Sequence, residues 1–365
     1  MNKLFKLDWI LIISISLLLV ISLLIIYSVS FSGAVFNSTN FQKQTISIFI
    51  GMVAMFLLAF FDYRLLSFQS TKLYFLMLGM LLVVIFFGKT VKGNTGWIDF
   101  LFFNIQPVEI AKIIIIIFIA SFLSKKKTQL SIFVRIFVSI VFVFIPIFLI
   151  MKQPDLGSAL IILASWGAVL FASGLNKKNL ALLLIFGILI TSSSWFFLKD
   201  YQKNRIINFI KPEYDPMGSG YNVIQATIAV GSGGIFGKGL GHGSQSQLNF
   251  LPEKHTDFIF SVITEELGLI GAMTVFVLFG IIFWRIKEIA KSARDNFGYL
   301  LSLGVLSILF FQFFVNIGMN IGVMPVAGVP LPFLSYGGSS MVMMLMAIGI
   351  VESVYLKRMK IGADI

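Results

Sequence analysis

Long apolar runs separated by short polar segments recur along the whole chain. A transmembrane α-helix needs about 20 predominantly apolar residues. Ten runs approach this length, roughly at 9–30, 44–61, 73–88, 107–123, 132–151, 157–174, 180–198, 258–284, 298–322 and 335–356. The pattern predicts an all-α integral membrane protein, a single polytopic domain over residues 1–365 with about ten transmembrane helices.

The composition supports a chain that faces lipid. Hydrophobic residues make up 58% of the chain and charged residues only 12%, whereas soluble domains carry about 25% charged residues. The chain has no Cys, which excludes disulfides and thiol chemistry. It has only two histidines, His242 and His255, and no CxxC or HExxH pattern, so a metal site built from histidines is not expected.

The net charge of +12 comes from basic residues placed between the apolar runs. With the N-terminus inside, the inner segments carry basic clusters such as 125–127 and 285–294. The short outer loops then carry only Lys43, Lys89, Lys92 and Lys152. This asymmetry predicts cytoplasmic termini and an inner face that carries only topology-determining basic residues. No basic, aromatic-rich surface exists outside these loops, so we expect no binding to nucleic acid.

One polar segment is much longer than the rest. Residues 199–257, between the seventh and eighth predicted spans, form a large extracytoplasmic loop that is rich in Ile, Phe and Tyr. Structureless loops of this length are uncommon unless they are functional or disordered. The apolar content argues against disorder, so we expect the loop to fold against the membrane surface. Within it, residues 221–230, "YNVIQATIAV", are predicted to form a short interfacial helix.

The end of this loop concentrates charge at the entrance to the eighth span, in residues 249–272, "NFLPEKHTDFIFSVITEELGLIGA". A half-desolvated carboxylate at Asp257 is suited to act as a general base, or else it caps the helix. Glu265 lies eight residues further on, where helical spacing predicts the same face. It forms either a polar track below Asp257 or a salt bridge that fixes helix packing. For Glu266, packing is the favoured interpretation.

Two other predicted spans carry acidic residues near the outer face. Glu109 and Lys112 lie three residues apart and so share one helix face. Lys112 either holds an anionic head group or forms an internal ion pair with Glu109. Asp155 opens the sixth span, where it either contributes a polar group to the outer face or caps the helix.

Two segments rich in glycine or proline complete the set. The run "GSGGIFGKGLGHG", residues 231–243, fails the phosphate-loop pattern, because position 232 is Ser and Lys238 is followed by Gly. It is a tight loop that can approach a glycan or a pyrophosphate. Residues 324–340, "MPVAGVPLPFLSYGGSS", predict a broken entry into the tenth span, as either a rigid turn or a cavity wall.

The residues alone therefore place a working site on the outer face, suited to a polar substrate that is carried by a lipid or is extracellular. An enzyme, a transporter or flippase of polar lipids, and a scaffold for a larger assembly all fit this description. A flippase would also need a polar path to the inner face, which the sequence does not obviously supply.

Three motifs carry a resemblance to a known family. They are "GKGLGHGSQSQLNFLPEKHTDFIFSVITEELGLIGA" at 237–272, "KQPDLGSAL" at 152–160 and "PLPFLSYGGSS" at 330–340. The chain resembles the SEDS family (shape, elongation, division and sporulation proteins) over essentially its whole length, and "GSQSQLNFLPE" is similar to the rod-shape branch. One departure is Val108, where the family often has Ser.

The resemblance implies a peptidoglycan glycosyltransferase that polymerises lipid II for cell elongation and rod shape. It identifies Asp257 as the catalytic residue, which takes the proton from the attacking sugar hydroxyl in an inverting transfer. It also implies a divalent cation, Mg²⁺ or Mn²⁺, held largely by the pyrophosphate oxygens. Lys112, oriented by Glu109, is the candidate cation near the leaving group, with Lys43 and Arg205 as further candidates.

We also expect Asp155, Glu265 and His255 to contribute to substrate binding. The lipid tail of the substrate would lie in a groove between spans that opens to the bilayer. The resemblance further implies a class B penicillin-binding protein, a transpeptidase, as partner, together with other proteins of the elongation complex. The expected location is the bacterial cytoplasmic (inner) membrane, with the active site on the outer face.

Overall fold

The computed structural model describes residues 6–32, 35–36, 38–91, 94–100, 103–125, 132–174, 203, 207–210 and 219–358. Within these ranges α-helices dominate. The first half contains α1 (Trp9–Val29), α2 (Ser38–Phe60), α3 (Tyr63–Phe87), α4 (Pro107–Ser124), α5 (Ile132–Lys152) and α6 (Leu156–Ala172). The second half contains α7 (Ser219–Ser232), α8 (Ser244–Gln247), α9 (Ile259–Lys291), α10 (Asn296–Asn320) and α11 (Gly338–Leu356).

Eight of these helices, α1 to α5 and α9 to α11, are long and apolar enough to cross a membrane. Helix α6 is apolar but has only 17 residues. Together they match nine of the ten predicted spans, and the remaining one, 180–198, lies outside the described residues. The prediction of an all-α, multi-pass membrane protein is therefore confirmed.

Two small antiparallel sheets lie in the connections between helices, where the apolar pattern predicts only loops. Strands β1 (Phe31–Ser32) and β2 (Val35–Phe36) pair with each other. Strands β3 (Lys89–Val91), β4 (Asn94–Phe100) and β5 (Phe103–Ile105) form the second sheet. Four of these strands have only two or three residues, and the seven residues of β4, "NTGWIDF", do not alternate between apolar and polar, so no period-2 pattern stands out. The second sheet leads directly into α4.

The centre of the bundle is built around α4, whose residues are almost all buried, and around α10, which packs against α4 and α6. Small residues allow close approach of neighbouring helices. A Cβ atom added at Gly304 of α10 would lie 2.2 Å from Ile116 Cγ2. A Cβ added at Gly349 of α11 would lie 2.4 Å from the carbonyl oxygen of Met55 in α2.

Helix α9 is interrupted at Gly268, which adopts φ 66° and ψ −159°. The backbone groups freed by the break bond to the Gly-rich segment 231–243. Leu269 N–H donates to Gly234 O at 2.9 Å, and Lys238 N–H donates to Glu265 O at 3.0 Å. Non-helical backbone at membrane depth requires such partners.

The described part of the predicted outer loop packs against the helices of the bundle. Helix α7, which contains the predicted helical stretch 221–230, packs against α9 and α10. The chain then reverses direction beside Gly268, which lies more than two helical turns after the start of α9. It returns through α8 to the start of α9. Because sequence periodicity reports only burial within one element, it could not reveal this pairing between two distant segments.

The opposite end of the bundle holds a largely buried ion pair and a buried carboxylate, in addition to the expected topology-determining cations. Arg285 of α9 donates to the carboxylate of Asp8, with its Nε 2.9 Å from Oδ2. The backbone N–H of Asp8 donates to the carboxylate of the buried Glu352 at 3.1 Å. These contacts join the ends of α1, α9 and α11, so that part of the charge predicted to set topology also ties helices together.

Candidate functional site

Asp257 is half-buried in a turn, residues 252–258, that leads into α9. We call this segment the Asp257 turn. The helix starts at Ile259 with Phe258 at the N-cap, and that position makes no side-chain capping hydrogen bond. Asp257 precedes this cap residue by one position, so the turn carries its carboxylate at the entrance to α9.

Two side-chain amides from α10 bond to the backbone of this turn. Asn316 Nδ2 and Asn320 Nδ2 each donate to the carbonyl oxygen of Asp257 at 3.0 Å. Asn316 Nδ2 also donates to Val329 O at 2.8 Å. Asn320 Oδ1 accepts from the N–H of Ser261 at 3.0 Å. Asn320 thus caps the first turn of α9 from another helix, satisfying one of the N–H groups that a helix start leaves open.

The segment 324–337, which we call the Pro/Gly segment, forms the other wall of the site. Ser335 Oγ donates to Thr256 O at 2.6 Å, and Tyr336 N–H donates to His255 O at 2.8 Å. A Cβ added at Gly328 would lie 3.9 Å from Asp257 Oδ2, so this glycine faces the carboxylate. The segment is non-helical and directly bonded to the Asp257 turn, so its position as a wall beside Asp257 is established and its role as a cavity wall stays a prediction.

Helix α2 approaches the same wall through Gln44, not Lys43. Gln44 is buried; its Nε2 donates to Ser335 O at 3.2 Å, and its Oε1 accepts from Gly337 N–H at 3.3 Å. Lys43 is exposed. The predicted role of Lys43 in pyrophosphate binding has no contact with the Asp257 turn to support it. Arg205 lies outside the described residues.

Glu109 and Lys112 form a buried ion pair near the start of α4. Lys112 Nζ lies 2.7 Å from Glu109 Oε1, and the side chains are only 1% and 3% exposed for Lys112 and Glu109, respectively. The second oxygen, Oε2 of Glu109, is buried and has no hydrogen-bond partner among the described residues. The ion-pair alternative is confirmed. Whether Lys112 also holds substrate stays a prediction.

Asp155 caps α6, accepting from Ser158 N–H at 3.0 Å, so the capping interpretation is confirmed. Gln106 connects this cap to the remaining site elements. Its Nε2 is 3.5 Å from Asp155 Oδ2, and its backbone N–H donates to Ser339 Oγ at 3.1 Å. The starts of α4, α6 and α11 therefore lie together at the same end of the bundle as the Asp257 turn.

The structure does not bring Glu265 and Asp257 together as one polar track. Glu265 is fully buried and accepts from Lys238 Nζ at 3.0 Å, from Gln245 N–H at 2.8 Å and from Ser246 N–H at 3.0 Å. The eight-residue spacing predicted a shared face, but α9 starts only after Asp257. Glu265 holds the returning segment 238–246 against α9, which agrees with the salt-bridge alternative.

Glu266 and Lys254 bind other parts of this region. The carboxylate of Glu266 accepts from Ser28 Oγ of α1 at 2.7 Å and from Gln247 Nε2 at 3.3 Å. Lys254 Nζ donates to Ser246 O at 2.6 Å and to an Asn side chain. Burial lowers the pKa of Lys254, while the negative charge of Glu266 acts in the opposite direction. Packing, the favoured role of Glu266, is confirmed.

Sequence reasoning missed the uncharged polar groups of the site. Asn316 and Asn320 lie four residues apart in the run predicted as the ninth span, which places them on one helix face. Buried amides in a transmembrane helix normally find partners. That spacing was the available signal. Gln44 and Ser335, by contrast, carry no distinctive pattern.

The described residues of the site can accept a proton and can bind a polar group. The described residues hold no cluster of three His, Cys, Asp or Glu side chains that could bind a metal ion. They therefore do not fit a resident metal. The half-buried carboxylate of Asp257, held by a fixed backbone, suits a general base.

The chain is similar to several known proteins over most of its length. Peptidoglycan glycosyltransferase MrdB of Escherichia coli K12 is 38% identical over 353 residues, covering 96% of this chain and 95% of that protein. Stage V sporulation protein E of Bacillus subtilis is 37% identical over 359 residues, covering 95% and 96%. A probable peptidoglycan glycosyltransferase FtsW of Geobacter metallireducens is 38% identical over 321 residues, covering 86% and 84%.

Solved structures share the fold. A chain from a study of how a peptidoglycan synthase complex coordinates polymerization and crosslinking aligns with a TM-score of 0.81 at 30% identity, covering 96% of this chain and 97% of that chain. A mutant of rod shape determining protein RodA from Thermus thermophilus aligns with a TM-score of 0.73 at 26% identity, covering 97% and 99%. The family model of FtsW, RodA and SpoVE, described as cell cycle proteins, matches residues 3–360. The chain therefore belongs to the FtsW/RodA/SpoVE family.

Proposed function

We propose that this protein is a peptidoglycan glycosyltransferase that polymerises lipid II for cell elongation, with Asp257 as the general base. The main supporting observation is the placement of Asp257, a half-buried carboxylate just before the start of α9. Its carbonyl oxygen accepts from two amides of α10, and the neighbouring Thr256 carbonyl accepts from Ser335 of the Pro/Gly segment. The relatives named as peptidoglycan glycosyltransferases support this function.

The proposed reaction uses Asp257 to make the acceptor sugar nucleophilic. The 4-hydroxyl of the acceptor GlcNAc gives its proton to the carboxylate as its oxygen attacks the anomeric carbon of the donor MurNAc. The bond between that carbon and the pyrophosphate oxygen breaks, and undecaprenyl pyrophosphate leaves. Attack from the opposite side inverts the α link to a β link. The carboxylic acid then returns its proton to water.

A site just before the start of a membrane-spanning helix suits a substrate with a lipid tail and a polar head. The excess of basic residues in the predicted inner loops supports an outer-face position for the Asp257 end of the bundle, in the cytoplasmic membrane. There the sugars can reach Asp257 from water while the tail stays in the bilayer. This sidedness is part of the proposal and rests on charge asymmetry.

The leaving pyrophosphate requires positive charge. Lys112 is the candidate that we retain, because it is buried beside Glu109 at the same end of the bundle as Asp257. Since the described residues form no three-ligand metal cluster, a divalent cation would arrive with the pyrophosphate oxygens as part of the substrate. We also propose a class B penicillin-binding protein as partner, supported by the similarity to a chain of a peptidoglycan synthase complex.

The test is polymerisation of labelled lipid II by the purified full-length chain with its partner transpeptidase and Mn²⁺. Asp257→Asn keeps the size of the side chain and removes the base, so we expect glycan polymer from wild type and none from the variant. Glu288→Gln is the matched control on the same helix, because the Glu288 side chain is 41% exposed and its ion pair among the described residues is with Lys291 on the surface. EDTA should stop the reaction and added Mn²⁺ should restore it.

The same assay separates the alternatives. Polymer from Asp257→Asn at the wild-type rate would remove Asp257 from catalysis. If wild type makes no polymer where a known polymerase does, the enzyme proposal fails. A lipid II flipping assay in vesicles would then test the transporter alternative.

A further inference from the structure

We infer that Asn316 and Asn320 are positioning residues for Asp257, acting through its backbone. This inference rests on the proposed function of Asp257 as the base. The two amides do not need to touch substrate. They set where the carboxylate stands by holding the peptide that carries it.

Two hydrogen-bond donors converge on one backbone atom of the proposed base. Both amides donate to the carbonyl oxygen of Asp257, each at 3.0 Å. Both side chains are fully buried. Buried amides without partners are costly, so each amide is held in place by its own bonds. A carbonyl that accepts two fixed donors has little freedom to rotate.

The Asn320 amide bonds both to the turn before α9 and to the first turn of the helix. Asn320 Oδ1 accepts from Ser261 N–H at 3.0 Å and from Ser261 Oγ at 2.6 Å. Its Nδ2 donates to the Asp257 carbonyl and to Asn316 O at 2.8 Å. These opposed bonds fix which end of the amide faces the turn. Helix α9 has no side-chain cap of its own at Phe258, so α10 sets the geometry of its first turn.

Asn316 also couples the Asp257 turn to the Pro/Gly segment. Asn316 Nδ2 bonds to Val329 O as well as to Asp257 O. Val329 follows Gly328, the glycine that faces the Asp257 carboxylate. One side chain therefore sets the distance between the base and the wall opposite it. A misplacement of about 1 Å at a reacting group can cost about 100-fold in rate.

The chain offers matched controls for a test. Gln312 lies one turn from Asn316 on the same face of α10. It is fully buried, and its amide has no hydrogen-bond partner in the part of the chain that the structure describes. Ser302 is likewise buried, with no partner for its hydroxyl among the described residues. Gln312→Met and Ser302→Ala therefore change the same kinds of group without touching the Asp257 turn.

The experiment measures kcat and KM for lipid II polymerisation by the full-length chain with its partner, for Asn316→Leu, Ser261→Ala and the two controls. We expect Asn316→Leu to lower kcat at least about tenfold with KM within about threefold of wild type. Ser261→Ala should lower kcat by a few-fold. The controls should match wild type. The melting temperature of each purified variant reports folding.

Several outcomes would overturn the inference. They are a kcat for Asn316→Leu within about threefold of wild type, an equal loss in Gln312→Met, and a raised KM with unchanged kcat. If Asn316→Leu does not fold, Ser261→Ala against Ser302→Ala decides, and equal rates in that pair reject the positioning role. Wild-type activity that Asp257→Asn abolishes is required in the same assay. Without it the proposed function itself has failed.

Discussion

Lys112 Nζ lies 2.7 Å from Glu109 Oε1, and neither side chain is appreciably exposed. Breaking a buried pair by removing one partner leaves an unpaired buried charge and costs about 3–5 kcal/mol, whereas replacing both partners is often neutral. This ion pair lies at the same end of the bundle as the proposed base. The structural role of the pair and its proposed role in substrate binding can be tested separately, by replacing one partner or both.

We expect Glu109→Gln alone to lower the free energy of unfolding by about 3–5 kcal/mol. The double variant Glu109→Gln with Lys112→Met should recover most of that stability. If Lys112 also binds the pyrophosphate, the double variant will fold but polymerise lipid II poorly. Thermal melting together with the polymerisation assay distinguishes the two roles, since wild-type activity in the stable double variant would leave only the structural one.

Glu265 organises the segment that returns from α7, so its loss should loosen that segment more than the loss of its cationic partner. Glu265→Gln removes the charge that accepts from Lys238 and from two backbone N–H groups. Lys238→Met removes a part-exposed donor and leaves the two backbone N–H groups bonded to the carboxylate. Hydrogen exchange over residues 238–247 should rise clearly in Glu265→Gln and little in Lys238→Met. Equal exchange in the two variants would contradict this assignment.

Gly268 should tolerate no side chain. It has φ 66°, and an added Cβ would lie 2.3 Å from Gly237 N. Gly268→Ala would therefore either strain the backbone or push the Gly-rich segment away from α9. We expect a marked loss of folded protein in detergent.

Gly280 of the same helix is the control, because nothing lies within 4 Å of an added Cβ. Gly280→Ala should be neutral or stabilise the protein by about 0.4–1 kcal/mol. The difference in melting temperature between the two variants is the measurement. A stable, active Gly268→Ala protein would show that the helix break is dispensable.

Lys254 should make stability depend on pH on the alkaline side. Burial lowers the pKa of its ammonium below the ordinary value of 10.5. In the window between the lowered value and 10.5, the unfolded chain binds a proton that the folded protein has released. Stability contributed by this group therefore rises with pH across that window.

The measurement is the melting temperature of wild type and Lys254→Met as pH rises toward 10.5. The difference between wild type and variant should shift in favour of wild type with increasing pH. Lys291→Met serves as the control, because that lysine is exposed at the opposite end of α9. A wild-type difference that stays constant with pH, as in the control, would show that Lys254 keeps its proton in the folded state.

The apolar runs by themselves determined the membrane class, and with it nearly every transmembrane helix that the structure describes. Twenty apolar residues in lipid can satisfy their backbone only as a helix. The sequence also singled out Asp257, Glu109 with Lys112, and the Pro/Gly segment. Charged and helix-breaking residues are expensive in an apolar environment and therefore stand out.

Only the tertiary structure decided what these groups do to one another. It showed that the predicted surface loop pairs with a break in α9 at Gly268, and that Glu265 holds this loop instead of extending the polar track of Asp257. It also assigned Asn316 and Asn320 to the backbone of the proposed base. Hydrogen bonds between residues some 60 positions apart leave no local period in the sequence. Burial of neutral amides becomes visible only once the helices are packed.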